Sequence, residues 1–290
     1  KSYCESNNLE FIEVESYDMS NHKDKKTLLS SAIDILLVCG WQRLIPDWLL
    51  SHVKYNAIGA HGSHYGINRG RGRSPLNWAL LLGKTEFHLS IFSIDQGVDS
   101  GRIIDTTSFE ILESDNISSC RAKADTEISR LIIRNYNSKK IFGNDFSSQK
   151  DDARYLPQRT PQDGHIDWNL SSSKLYNFIR AQSKPFPGAF TVYNDKIVKI
   201  WSCKKTKSII NKHYNNGEVV KIVNDGVFIV KCSDEFILVD NFSNENKILI
   251  EEGMIFESCN FKEQMKGIID RHYNKYPLFH LSEEIHKLAT

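Results

Sequence analysis

At 290 residues, 40% hydrophobic and 25% charged, the chain has room for two buried cores and is too mixed in composition to be fibrous or disordered. A formal net charge of +1 argues against a dedicated nucleic-acid surface, and the longest apolar runs are strand-sized, which argues against a membrane span or a signal peptide. Six cysteines (Cys4, Cys39, Cys120, Cys203, Cys232, Cys259) show no paired spacing, so a reducing, cytoplasmic setting is expected, with neither a disulfide framework nor a metal site.

In chain order, Lys1 to Asn7 followed by the alternating Leu9-Glu10-Phe11-Ile12-Glu13-Val14 reads as a helix end running into a strand. Lys23 to Ala32 has amphipathic helical spacing, and Ile35 to Cys39 is an apolar run of the kind that parallel sheets bury on both faces. Gly40-Trp41-Gln42-Arg43-Leu44-Ile45 connects that strand onward. Asn56 to Ala60 suits a second buried strand, with His61-Gly62-Ser63 at its end, where the chain must turn and where open α/β sheets place ligands.

The stretch His64 to Arg73 carries three glycines and the arginines Arg69, Arg71 and Arg73, so it reads as a loop beside an anionic or polar ligand. Solvated loop charge is the competing reading for each arginine. Ser74-Pro75 then opens a helix over Leu76 to Leu82, with serine as N-cap, proline at the first position and Gly83 closing it. Phe87 to Ile94 is a further apolar strand, and it runs into the tight turn Asp95-Gln96-Gly97-Val98-Asp99-Ser100-Gly101, which could bring Asp99 beside His61.

Short strands at Arg102–Ile104 and Phe109–Ile111 precede a long helix from Ser118 to Lys140, and the polar Ser147 to Asp152 reads as a linker. Beyond it come a turn-rich Arg159-Thr160-Pro161-Gln162-Asp163-Gly164, a Ser-capped helix from Ser172 to Gln182 and the chain break Pro185-Phe186-Pro187-Gly188. Five short alternating segments, joined by turns such as Asn224-Asp225-Gly226, argue a small antiparallel barrel. Trp78, Trp168 and Trp201 are expected in cores. Residues 261–290 read as a helix and tail.

The runs RGRSPLNWALLLG, DQGVDSG, RTPQDGHIDW and IRAQSKPFPGAF, in that order between about Asp34 and Val239, resemble the folate-dependent formyltransferase family, which includes methionyl-tRNA and sugar-nucleotide N-formyltransferases. The resemblance implies an α/β fold: a Rossmann-like formyltransferase domain with a mostly parallel sheet over residues 1–152, a linker helix and OB-like β-barrel domain over 153–260, and a C-terminal helix or tail over 261–290. It further implies an opening strand and helix ahead of residues 1–14, and these are expected to be missing, so that the sheet lacks an edge or the sequence is a fragment. The resemblance also implies N10-formyl-tetrahydrofolate as cosubstrate, its pocket lined by the loop carrying Gly40, Trp41, Arg43, Leu44 and Ile45; a plain strand-to-helix connection is the alternative. Arg159 and Arg180 occupy positions that face the cleft in the family, with simple salt bridging as the alternative for each.

Formyl transfer needs an amine that is neutral and that loses a proton, so a base titrating near neutral pH is required. His61 is the natural candidate, with Asp99 to orient it and stabilise the imidazolium. Ser63, Arg71, Arg73, Arg159 and Arg180 are the candidate substrate contacts.

Two departures from the family pattern stand out. Gly59 replaces an asparagine whose amide helps hold the developing oxyanion, and losing one such donor typically costs about 10²–10³ in rate. The replacement donors to consider are a backbone N–H, the Ser63 hydroxyl or His64. Further on, His64-Tyr65-Gly66 replaces a Leu-Leu-Pro run.

Three functions follow: N-formylation of a nucleotide-linked amino sugar, formylation of methionyl-tRNA, or non-catalytic binding of folate or a nucleotide sugar. The barrel region 201–260, with seven Lys/Arg against nine Asp/Glu, weighs against a tRNA surface. The expected partners are therefore a nucleotide-linked amino sugar, without nucleic acid or membrane, and a homo-oligomer is compatible with the composition.

Overall fold

The chain begins with a short helix, α1 (Ser2–Ser6), and a second, α2 (His22–Leu29), whose N-cap Asn21 accepts from the Asp24 N–H at 2.8 Å. The structure, a computed structural model, describes residues 1–41, 43–150, 152–207, 213–224, 226–244 and 248–290. Gln42, Asp151 and Asp225, which fall in the connecting loop, the linker and the turn read from the sequence, lie outside the described residues. Contacts divide the chain into two compact units. The first comprises Lys1–Ala60, Ile91–Asp105 and Leu131–Gln149, and the second His61–Ser90, Thr106–Arg130 and Lys150–Thr290.

In chain order the next elements are β1 (Ile35–Val38), α3 (Asp47–Leu50), β2 (Asn56–Ser63), β3 (Arg71–Gly72), α4 (Pro75–Leu81), β4 (Glu86–Ser93), β5 (Ile103–Glu110) and α5 (Ile117–Asn137). Four of the strands form one sheet in the order β1-β2-β4-β5, with β1 and β2 parallel from Ile35↔Asn56 to Val38↔Gly59. The core of the first unit is built on Met19, Ile45 and Leu49, with Val14, Leu28, Leu36, Val38 and Ile94 packed against them.

Three expectations change here. The alternating run from Leu9 to Val14 forms no strand: Leu9, Phe11 and Ile12 are exposed and only Val14 reaches the core. The following backbone is held instead by the buried Asp24 carboxylate, which accepts from Glu15 N–H at 2.8 Å and Ser16 N–H at 2.9 Å. β1 is an edge strand, half-exposed with Leu37 at 45%, so its apolar run does not mark burial on both faces. The two short strands read around Ile104 and Phe109 are one continuous β5.

Helix α4 follows the sequence closely. Pro75 stands at its first turn, Gly83 closes it at φ +66° and Trp78 is fully buried with its Nε1–H donated to Pro157 O at 2.9 Å. Ser74 departs from expectation: it adopts φ +56° and its side chain makes no capping hydrogen bond. The stretch read as a linker is tied down within the first unit, since Ser147 bridges Ile103 and Gln149 Nε2 donates to the carbonyls of Asp99 and Gly101.

The second unit continues with β6 (Tyr155–Leu156), which pairs parallel with β3, then α6 (Ser172–Arg180), capped by Ser171. Next come β7 (Ala189–Tyr193), β8 (Lys196–Thr206), β9 (Val219–Asn224), β10 (Val227–Lys231), β11 (Phe236–Asn244), α7 (Phe261–Lys275) and α8 (Glu283–Lys287). The five strands form an antiparallel sheet in the order β7-β8-β11-β10-β9. It is not a closed barrel: its edges are β7 and β9, and residues 254–257 make only isolated bridges, Val192↔Glu257 and Glu218↔Ile255. Trp168 lies in this unit's core, as read from the sequence, whereas Trp201 is half-buried and donates to Ser243 Oγ. Helix α7 buries Phe261, Met265, Ile268 and His272, one face at helical spacing, and the tail beyond it pairs through Leu281 with Tyr155.

Candidate active site

Strand β2 does not turn at His61 but continues to Ser63. Within it Gly59 and His61, two residues apart, share a face. His61 is half-buried, and its Nε2 lies 2.7 Å from the carbonyl oxygen of Gly70. A carbonyl can only accept, so this contact assigns a proton to Nε2. Gly70 must be glycine for this approach: a Cβ there would lie 1.8 Å from Ser63 Oγ and 2.1 Å from Ser63 Cβ.

Ser63 is fully buried, donates its hydroxyl to Gly66 O at 2.7 Å and accepts from Tyr65 N–H at 3.0 Å. Its hydroxyl is thus engaged in the turn after β2. His64 is also turned inward. Its side chain is 3% exposed, packs against the Tyr65 ring at a 42° tilt and places Nε2 3.5 Å from Glu284 Oε2, while Lys84 Nζ reaches Glu284 Oε1 at 2.7 Å.

Burial pushes the His64 pKa down from 6.5 to about 4, with Lys84 acting in the same direction and Glu284 against it. The unfolded ring takes up its proton near pH 6.5 and the folded one only near 4, so the stability contribution is complete above pH 6.5 and lost as pH falls between these values. We expect His64→Phe to remove about 3 kcal/mol of this acid-side loss, read by urea unfolding at pH 7 and pH 4.5. An unchanged pH slope would show that His64 is charged in the fold.

The arginines separate into distinct roles. Arg69 is ion-paired with Asp152, and this pairing holds the Asp152 carboxyl below its ordinary range. Arg71 lies buried in β3, which makes it an element residue and not part of an open loop; Arg73 is half-buried. Arg180 is engaged within the second unit. It is buried, with Nη1 donated to the carbonyls of Leu112 (3.0 Å), Glu113 (3.2 Å) and Asp115 (2.9 Å) and Nε to Asn177 Oδ1 (2.9 Å). It is a structural tie. Arg180→Ala would strand three acceptors and is expected to cost about 3 kcal/mol in denaturant unfolding. A loss under about 0.5 kcal/mol, the range of an ordinary surface substitution, would refute the tie.

Arg159 has a different environment. Its Nη2 donates to Asp163 O at 2.6 Å and Gln182 Oε1 at 2.9 Å, and its guanidinium lies 5.3 Å from the Trp78 ring and 5.4 Å from that of Phe178. Nη1 is buried without a hydrogen-bond partner, and burial pushes the guanidinium pKa down to about 10, so it stays charged.

In the first unit, Gly40 adopts φ +73° with open space where a Cβ would stand. Trp41 stacks on Tyr17 with ring centroids 4.4 Å apart, and its Nε1 is buried without a partner. Arg43 lies over the same tyrosine, Leu44 is 57% exposed and Ile45 is a core residue. The loop thus divides: Ile45 holds it in place, while Trp41 keeps a donor that a polar ring could satisfy. Asp99 has φ +50° in the turn after β4, and its carbonyl accepts from Gln149. Asp99 belongs to the first unit and His61 to the second.

The family profile described as formyl transferase matches residues 2–135, and that described as formyl transferase, C-terminal domain, matches residues 159–257. The chain belongs to the formyltransferase family. Methionyl-tRNA formyltransferase of Caldanaerobacter subterraneus subsp. tengcongensis is 29% identical over 231 residues, 77% of this chain and 71% of that protein. The bifunctional polymyxin resistance protein ArnA of Wigglesworthia glossinidia brevipalpis is 33% identical over 174 residues, 59% of this chain but 26% of that one. A solved N-formyltransferase from Helicobacter canadensis, crystallised with folinic acid and dTDP-3-aminofucose, has the same fold at TM-score 0.57 and 17% identity, covering 83% of this chain and 82% of that one. Among the described residues no helix of this formyltransferase is long and apolar enough to cross a membrane.

The sequence missed the inward turn of His64 and the burial of Arg159 and Arg180. Their partners Glu284, Gln182 and Leu112–Asp115 are distant along the chain, and no local spacing announces them.

Proposed function

We propose that this formyltransferase moves a formyl group from N10-formyl-tetrahydrofolate to the amine of an amino sugar carried on a nucleotide. Bound in the first unit, the folate supplies an activated formyl carbon. The Gly40–Ile45 loop suits it, with an open glycine and the orphan Trp41 donor. His61 is the candidate base for the amine proton, and Asp99 is retained as the second candidate catalytic residue. Arg71, Arg73 and Arg159 are retained as candidate substrate contacts.

One observation weighs toward an amino sugar over tRNA: three of the six lysines in the strands of the C-terminal sheet are engaged by oxygens of the same unit. Lys204 pairs with Asp240 at 3.4 Å, Lys205 with Glu113 at 2.6 Å, and Lys231 donates to Cys232 O at 2.6 Å. A tRNA surface needs such charges directed outward. Methionyl-tRNA remains the second reading, favoured by the similarity to the Caldanaerobacter protein.

A mass-spectrometric assay tests the choice, presenting amino-sugar nucleotides and methionyl-tRNA in parallel with N10-formyl-tetrahydrofolate. Formyl gain on the sugar alone supports the proposal, and gain on methionyl-tRNA alone refutes it. Binding without transfer would favour a non-catalytic role. Asp99→Asn, which the left-handed backbone tolerates, is expected to lower turnover at least about tenfold with folate affinity unchanged, by titration and single-turnover assay. Full activity would place Asp99 outside the catalytic unit.

A further inference from the structure

A partly open cavity of about 100 Å³ in the second unit is lined by Ser74, Asn77, Arg159, Gln182, Phe186 and Pro187 among others. It is well below the roughly 300–1,000 Å³ of sites that enclose a drug-sized ligand, so its occupant is a small group or the end of a larger molecule. Its one cation is Arg159, and that charge lacks a carboxylate of its own. Asp163 acts on Arg159 through space, but both its carboxylate oxygens lie on Arg271 Nη2, at 2.7 and 2.6 Å, and it also accepts from Thr160. Arg159 itself bonds only neutral oxygens, and Nη1 has none.

A buried guanidinium with an unused donor is costly unless an anion completes it. Ser74 supplies a second donor at the same wall, and its hydroxyl does not cap α4. Asn77 and Gln182 are already occupied, donating to Ala181 O and Phe178 O. Two donors and a single positive charge between Phe186 and Pro187 match a planar monoanion with two oxygens better than a phosphate, which carries more charge and more acceptors.

We propose that this cavity is a binding site for a carboxylate, held by Arg159 Nη1 and the Ser74 hydroxyl. This carboxylate site can be tested without folate or an amine. Its source is either a small organic acid or the carboxylate end of a larger ligand.

Titration of the whole chain with sodium acetate against sodium chloride at constant ionic strength tests this, followed by calorimetry and by the thermal midpoint. Acetate is expected to bind saturably in the millimolar range and chloride not to. Ser74→Gly removes the hydroxyl and suits the positive φ at that position, so the fold is kept; it should weaken acetate about tenfold. Arg159→Gln should abolish binding, and if it fails to fold, Ser74→Gly alone decides. A small dicarboxylate that binds no tighter than acetate would mark a small acid as the occupant, and a much tighter one would mark the end of a larger ligand. Either supports the carboxylate class. Equal responses to acetate and chloride, tighter binding of inorganic phosphate, or an unchanged affinity in Ser74→Gly would overturn it.

Discussion

Replacing His61 by asparagine is expected to lower turnover at least about a hundredfold while folate binding persists. The expectation rests on position as well as residue type. His61 sits on a paired strand, and the Gly70 carbonyl at 2.7 Å holds its Nε2 and fixes the tautomer. A ring held in this way keeps one defined orientation as the candidate base. Asparagine keeps a donor for Gly70 but cannot accept a proton near neutral pH, so it separates base catalysis from packing. The measurement is single-turnover formyl transfer alongside equilibrium folate binding. A variant with near-wild-type turnover and intact binding would remove His61 from the chemistry. A variant that loses binding as well would instead show that the ring holds the loop at Gly70.

Much of the fold is legible in the sequence because its strongest signals are local. Ser74-Pro75 and Gly83 bracket α4, and the apolar runs at Ile35, Asn56 and Phe87 all become strands of one sheet. The alternation at Leu9–Val14 misleads because period-two hydrophobicity records what a strand would bury and not whether a partner strand is beside it. Site residues are less legible, since charge says nothing of direction. Arg159 and Arg180 look alike in the sequence, yet one ties down three carbonyls and the other keeps a buried donor beside a cavity. Ser63 reads as a substrate contact in the sequence, and its hydroxyl is engaged in the turn after β2.

Gly59→Asn, which places an amide where the family has one, is expected to destabilise the fold and not to improve the enzyme. A left-handed backbone at Gly59 would have tolerated asparagine. Gly59 is instead paired with Val38 inside β2 and is not among the positive-φ glycines. Space is the constraint: a Cβ would meet Phe92 Cζ at 2.9 Å and Ile94 Cγ1 and Cδ1 at 3.2 and 3.3 Å. Phe92 is 5% exposed, so its ring end fills the room an asparagine side chain would need. Overpacking of this kind costs about 1–3 kcal/mol. The tightest obstruction is the far end of the Phe92 side chain, which can be removed, while Ile94 must give by a few tenths of an ångström. Leucine at position 92 lacks the distal ring atoms, and Gly59→Asn combined with Phe92→Leu should recover much of the lost stability. In that pair the amide shares the face of His61, and turnover should exceed that of the Phe92→Leu single variant by up to about a hundredfold, the scale of one oxyanion donor. Melting curves and single-turnover rates for the four proteins of this cycle test both halves. A stable Gly59→Asn single variant would show that Phe92 is not the obstacle. A stable double variant that is no faster than Phe92→Leu would show that another group already holds the oxyanion and that Gly59 leaves no deficit to repair.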